Sequence, residues 1–157
     1  MKIAFTGHRK QLWLTIENEE FNFINKLSAY LSNITEPYTF IVGGCTGVDS
    51  FAATYALSHR IPYDLYVPFP LLIHARTKWF NKEDGYNLLN QHKYCQNKRV
   101  ASEVFDTEAY YKRDKWMVED ADILIAYYYK EKSGSGNCVR YAESIGKPVV
   151  RLRTWKG

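Results

Sequence analysis

The sequence predicts an α/β fold three layers deep, in which a mostly parallel sheet carries helices on both faces. Three observations predict it. Short apolar runs alternate with amphipathic stretches along the whole chain. The runs are continuously apolar, as strands covered on both faces are. Several end at glycines that open the next helical stretch, the pattern of a strand feeding a crossover helix.

The elements follow in order. Residues 2–6 (KIAFT) are a short apolar run ending at Gly7, a buried strand. From about 16 to 32, Ile16, Phe23, Ile24, Leu27 and Leu31 recur at helical spacing, with Thr15 as the expected cap. Phe40-Ile41-Val42 ends at Gly43-Gly44, a second buried strand. Val48, Phe51, Ala52 and Tyr55 mark a helix running to about His59. Leu65-Tyr66-Val67 is a third strand, stopped by Pro68 and Pro70. Residues 71–101 are the least legible part, one or two helices carrying Trp79, Tyr86, Leu88 and Leu89, and a short strand is expected at 103–105. A helix follows at about 108–119, and Ile123-Leu124-Ile125-Ala126 is the strongest central strand. Gly134-Ser135-Gly136 leads into a last helix with Val139, Ala142 and Ile145 facing inward. Gly146 ends it, and Pro148 opens the final strand, Val149-Val150. With no repeat, low-complexity tract or linker, this is a Rossmann-like fold in one domain, residues 1–157.

Composition excludes several classes. The 157 residues suit one domain, and 46% hydrophobic with 24% charged content is ordinary for a globular chain. The 13 Tyr are expected to serve a ligand or a partner subunit as well as the core, and a homo-oligomer is expected. A net charge of +4 suits an anionic ligand but falls short of the basic stripe of a dedicated nucleic-acid binder. Cys45, Cys95 and Cys138 are odd in number and lack any CxxC, so neither disulfides nor zinc are indicated. His59, His74 and His92 form no metal-ligand spacing and are expected on surfaces. No apolar run reaches the roughly 18 residues of a membrane span. The opening residues enter a strand directly and leave no room for a signal peptide, so a cytoplasmic protein is expected.

In open α/β sheets, ligands sit outside the carboxyl ends of the strands, where loops enter helices. Four segments fall there: Thr6-Gly7-His8-Arg9, Gly43-Gly44-Cys45-Thr46-Gly47-Val48-Asp49, Pro68-Phe69-Pro70 and Ser133-Gly134-Ser135-Gly136-Asn137. Glycines let backbone approach an anion, and free N–H groups at a helix start point at it. The two glycine turns, taken with Arg9, thus predict a phosphate-bearing ligand. On this reading Gly47→Val abolishes binding at modest expense of stability. The dinucleotide fingerprint GxGxxG is absent, so NAD is not proposed; no cofactor or metal is called for. His8 contacts ligand or caps a helix.

Asp49 stands in a first helical turn, where it either favours the helix dipole or holds a ribose hydroxyl or a water. Arg113 shares a helical face with Ala109, Trp116 and Met117, and a charge on that stripe needs a partner. Glu119, Asp120 and Asp122 are structural options. A ligand phosphate or carboxylate suits a guanidinium better. The candidate binding residues are therefore Gly7, His8, Arg9, Gly43, Gly44, Thr46, Gly47, Asp49, Arg113, Met117, Gly134, Ser135, Gly136 and Asn137.

The ordered motifs resemble the SLOG superfamily, and within it the YpsA-like branch (domain of unknown function 1273) with its YspA-like relatives. The matching residues are Ala4-Phe5-Thr6-Gly7-His8-Arg9, then Gly43 to Asp49 against the family's GGAxGxD, then Val67-Pro68-Phe69 with Trp79 downstream. Arg113 to Val118 resembles RNxxMV, and Gly134-Ser135-Gly136-Asn137 stands where the family has GGT. The resemblance covers nearly the whole chain. It implies a Rossmann-like fold and a nucleotide or nucleotide-derived ligand. Some members hydrolyse the N-glycosidic bond of nucleoside 5′-monophosphates, some bind single-stranded DNA, as DNA-processing protein A does, and others sense ADP-ribose-type signals.

Two departures bear on the reaction. The hydrolases resemble one another in PGGxGTxxE, and Arg140 stands where that Glu would be, with Glu143 nearby. Asp114 replaces the Asn beside Arg113. Both argue for binding over hydrolysis. The expected function is thus a binder of a nucleotide-derived small molecule, as a sensor or sequestering protein. An N-glycosidase would need Asp49 or Glu119 as its carboxylate. DNA binding would need Arg76, Lys78, Lys82, Lys93, Lys98 and Arg99, but Glu83 and Asp84 interrupt them.

Overall fold

The computed structural model describes residues 1–13 and 18–153. Six parallel strands form one sheet in the order β4-β3-β2-β1-β5-β6. They are β1 (Lys2–Gly7), β2 (Thr39–Val42), β3 (Tyr63–Val67), β4 (Asn97–Val100), β5 (Ile123–Tyr127) and β6 (Val149–Arg151). Among the described residues seven helices accompany them: α1 (Lys10–Trp13), α2 (Glu19–Leu31), α3 (Val48–Ser58), α4 (Leu71–His74), α5 (Lys82–Tyr94), α6 (Glu108–Asp120) and α7 (Gly134–Ser144). The predicted α/β class and its Rossmann-like layering hold.

Strand pleating sorts the core into two halves. Ile3 and Phe5 of β1 face Phe23, Leu27, Val48 and Ala52 of α2 and α3. Ala4 points the other way, into a layer with Ile41, Leu124, Met117 and Val118 of α6, and Val139 and Ala142 of α7. The central strands are buried on both faces, which is why they read as unbroken apolar runs.

The fourth strand corrects the sequence reading. It lies at Asn97–Val100, not at 103–105, where Val104 and Phe105 are exposed. Its sequence, NKRV, carries no apolar pattern because it is an edge strand with solvated side chains, held by backbone pairing to β3. The helix expected from 16 is described from Glu19; Thr15 and Ile16 lie outside the described residues. The 71–101 segment resolves into α4 and α5, and α5 starts with a capping box between Asn81 and Asp84. Gly146 ends α7 as expected, with Lys147 N–H donating to the Ala142 carbonyl at 2.9 Å. No helix among the described residues is long and apolar enough to cross a membrane.

The sheet order fixes where a ligand can sit. From β1 the chain winds outward through β2, β3 and β4, then returns to the other side of β1 as β5. The loops after β1 and β5 therefore leave in opposite directions and open a crevice at their carboxyl ends.

Candidate functional site

That crevice is a cavity of about 790 Å³, within the range of small-molecule sites. Gly7, His8 and Arg9 line it from the β1 loop, Asp49 and Arg113 from α3 and α6, and Gly134, Ser135 and Asn137 from the start of α7. Eight predicted residues thus converge. Gly43, Gly44, Thr46, Gly47, Met117 and Gly136 do not line it, and neither does Glu119.

The reason for the glycines is packing of the chain on itself. A Cβ on Gly47 would sit 2.2 Å from the His8 carbonyl oxygen, and on Gly44 2.9 Å from Val67 Cγ1. One on Gly136 would meet the Glu131 carbonyl at 1.9 Å. Thr46 joins the same packing, its hydroxyl accepting from Lys10 N–H at 3.4 Å. Met117 is buried behind Gly43. Only Gly134 of the last turn has open space around it.

At the start of α7 the Ser133 hydroxyl accepts from Gly136 N–H at 3.1 Å, a cap that leaves Gly134 and Ser135 as the outermost residues of the helix. Their N–H groups have no partner among the described residues. They face the cavity with the positive end of the helix dipole.

Arg113 is 4% exposed and already held. Its Nε donates to Asp114 at 2.7 Å, its Nη1 to the Gly43 carbonyl, and its Nη2 approaches Cys45 Sγ at 3.5 Å. None of Glu119, Asp120 or Asp122 is its partner. Arg113 thus clamps the GGCTG turn and presents only part of its surface to the cavity. Beside it, Asp49 Oδ1 is buried with no hydrogen-bond partner. Burial, with Cys45 adjacent, pushes the Asp49 carboxyl well above the usual range against the pull of Arg113. Glu119 faces away, accepting from the Tyr141 hydroxyl at 3.2 Å. Arg140 donates to Asn137 and Glu131, Glu143 pairs with Arg151 at 2.8 Å, and neither lines the cavity.

His8 is buried, and its Nε2 accepts from the N–H groups of Tyr129 and Lys130 at 3.0 and 3.1 Å. A protonated ring cannot accept both. Burial, then Lys130 and Arg153, lower its pKa to about 4. The folded pKa lies below the ordinary 6.5, so this stabilisation is complete above pH 6.5 and is lost as pH falls through about 4. A proton NMR titration should find the His8 ring neutral at pH 5.5; a midpoint near 6.5 would contradict the bonding described. His74, expected on a surface, is instead buried among Phe69, Phe80 and Gly44.

The sequence reading missed an aromatic wall. Trp79, Phe105, Tyr110 and Tyr111 line the cavity, and Arg9 lies 4.3 Å from the Trp79 ring and 5.3 Å from that of Tyr110. The Pro68–Pro70 loop, expected at the ligand, stands behind this wall: Phe69 is fully buried and packs on Phe105 and Tyr110.

No family model and no curated protein matches the sequence. Solved structures do. DNA processing protein A from Streptococcus pneumoniae superposes with a TM-score of 0.67 at 17% identity, over 96% of this chain and 49% of that one. DNA processing protein A from Helicobacter pylori, whose structure concerns a single-stranded DNA binding mode, gives 0.63 at 17% identity over 96% and 64%. The structural-genomics target TM1055 gives 0.60 at 13% identity over 94% and 71%. This chain spans about half the length of the first of these. The likeness establishes the shared Rossmann-like fold, the fold that the SLOG resemblance implies.

Proposed function

We propose that this chain binds a phosphorylated nucleotide-derived small molecule, a nucleoside phosphate or an ADP-ribose-type ligand, as a sensor or sequestering protein of the YpsA-like branch. One observation carries the reading. A single cavity combines unpaired N–H groups at the start of α7, an unpaired buried carboxyl oxygen on Asp49, and an aromatic wall with Arg9 against it. Phosphate suits the helix start, a sugar hydroxyl suits Asp49, and a base suits the aromatic faces. A thermal-shift screen tests this. Nucleoside phosphates should raise the melting temperature, since a ligand bound only by the native state stabilises it. Free nucleosides raising it equally would remove the phosphate from the reading.

The second reading is hydrolysis of an N-glycosidic bond, favoured by the presence of Asp49 in the cavity. Binding alone returns the nucleotide intact by chromatography; hydrolysis releases free base. Single-stranded DNA should bind weakly and salt-sensitively. Arg99, one of the basic residues such binding would recruit, is held by Asp120 at 2.9 Å and lies over Trp116.

A further inference from the structure

The cavity floor carries a thiol for which nucleotide binding has no use. Cys45 lies in the turn after β2, just before the start of α3, and it lines the cavity while being 8% exposed. Two guanidiniums face it: Arg113 Nη2 at 3.5 Å, and Arg9 from the β1 loop. One carboxyl group, Asp114, opposes them, and a second, Asp49, stands beside Arg113 at Gly43. Asp114 is taken up by Arg113 at 2.7 Å. Asp49 is not: it is 8% exposed, lines the same cavity, and its Oδ1 has no partner.

Burial alone would raise the Cys45 thiol, but Arg113 and Arg9 outweigh it and bring it below its ordinary value. Asp49 moves the opposite way, toward the protonated form. The two shifts run in opposite directions, the thiol toward its thiolate and the carboxyl toward its acid form. The other two cysteines lack this arrangement. Cys138 is buried and raised, while Cys95 is half-buried, raised, and donates to the His92 carbonyl at 3.4 Å.

We propose that Cys45 is a modification site for small hydroperoxides entering this cavity, with Asp49 as the proton donor. The Cys45 thiolate attacks one peroxide oxygen, forming an S–O bond as the O–O bond breaks. The departing oxygen takes the Asp49 proton and leaves as water, or as an alcohol from an organic hydroperoxide. Sulfur is oxidised by two electrons to a sulfenic acid, the peroxide is reduced by two, and Asp49 is left as a carboxylate. The step belongs to the cavity without nucleotide, because a bound sugar hydroxyl would occupy Asp49.

The three cysteines make the test internal. The 157-residue chain is exposed to hydrogen peroxide with dimedone present, and each cysteine peptide is followed by mass spectrometry. Exposure alone would put Cys95 first. The structure puts Cys45 first, by at least about tenfold. In Asp49→Asn the peroxide reaction should slow by at least about a hundredfold, the low end of what a positioned acid supplies. Alkylation of Cys45 by iodoacetamide should not change, because iodide leaves without a proton. Cys95 labelled as fast as Cys45 in the unaltered protein would overturn the proposal. Asp49→Asn leaving the peroxide reaction unchanged, or slowing both reactions alike, would overturn the role of Asp49 and with it the step.

Discussion

Gly47→Val is expected to unfold the protein rather than to empty its cavity, lowering stability by at least about 4 kcal/mol. Gly47 has φ +78, a backbone conformation that β-branched residues rarely adopt. A left-handed conformation forced on such a residue accounts for about 1–3 kcal/mol. The rest comes from overlap. The new Cβ would stand 2.2 Å from the His8 carbonyl oxygen and 2.9 Å from two backbone atoms of Arg9. Relief requires moving the β1 loop, which breaks the bond from Val48 N–H to His8 O and disturbs Trp13 Nε1, bound to the same oxygen at 3.0 Å. Urea denaturation followed by circular dichroism checks this. A variant that keeps its stability and loses only ligand affinity would restore the reading of Gly47 as part of a phosphate cradle.

Arg113→Ala is expected to be the second large effect, a loss of about 1–3 kcal/mol from the buried Gly43 carbonyl left without its donor, with the part-exposed Asp114 adding less. Three groups depend on this guanidinium. Asp114 loses its partner at 2.7 Å, the buried Gly43 carbonyl loses its donor, and Cys45 loses the cation that holds its thiol down. A neutral residue of similar length, Met, should recover part of the loss by refilling the space without restoring the bonds. Equilibrium unfolding of both variants separates the outcomes. Stability unchanged in Arg113→Ala, with weaker ligand binding alone, would mean that the guanidinium serves the ligand and not the fold.

These two residues mark where the sequence stops being legible. The unbroken apolar runs KIAFT and ILIA gave strands because burial on both faces leaves a direct imprint on composition. The NKRV edge strand left none, since its side chains are solvated and only its backbone belongs to the sheet. Glycine turns at helix starts were readable as turns, but a glycine makes room for a ligand and for the chain's own backbone in the same way. At Gly47 and Gly136 the neighbour proves to be backbone. Arg113 reads as a charge needing a partner, but adjacent residues on a helix do not face each other, so helical spacing does not point to Asp114. Its long side chain folds back to reach that neighbour. The aromatic wall was beyond reach for a different reason. Phe105 and Tyr110 meet on Phe69, and Trp79, from a distant stretch, joins them through Arg9, which lies against both Trp79 and Tyr110.

The central claim is that one cavity takes a nucleoside phosphate by its phosphate, sugar and base together. Backbone amide and tryptophan indole shifts in a nitrogen-15 NMR titration with nucleoside 5′-monophosphates test it most directly. The Gly134 and Ser135 amides, the Asp49 amide and the Trp79 indole should move together along one saturating curve, with the corresponding nucleosides moving Gly134 and Ser135 far less. Shifts that bypass α7 and Trp79, or nucleosides and nucleotides moving the same amides equally, would contradict it.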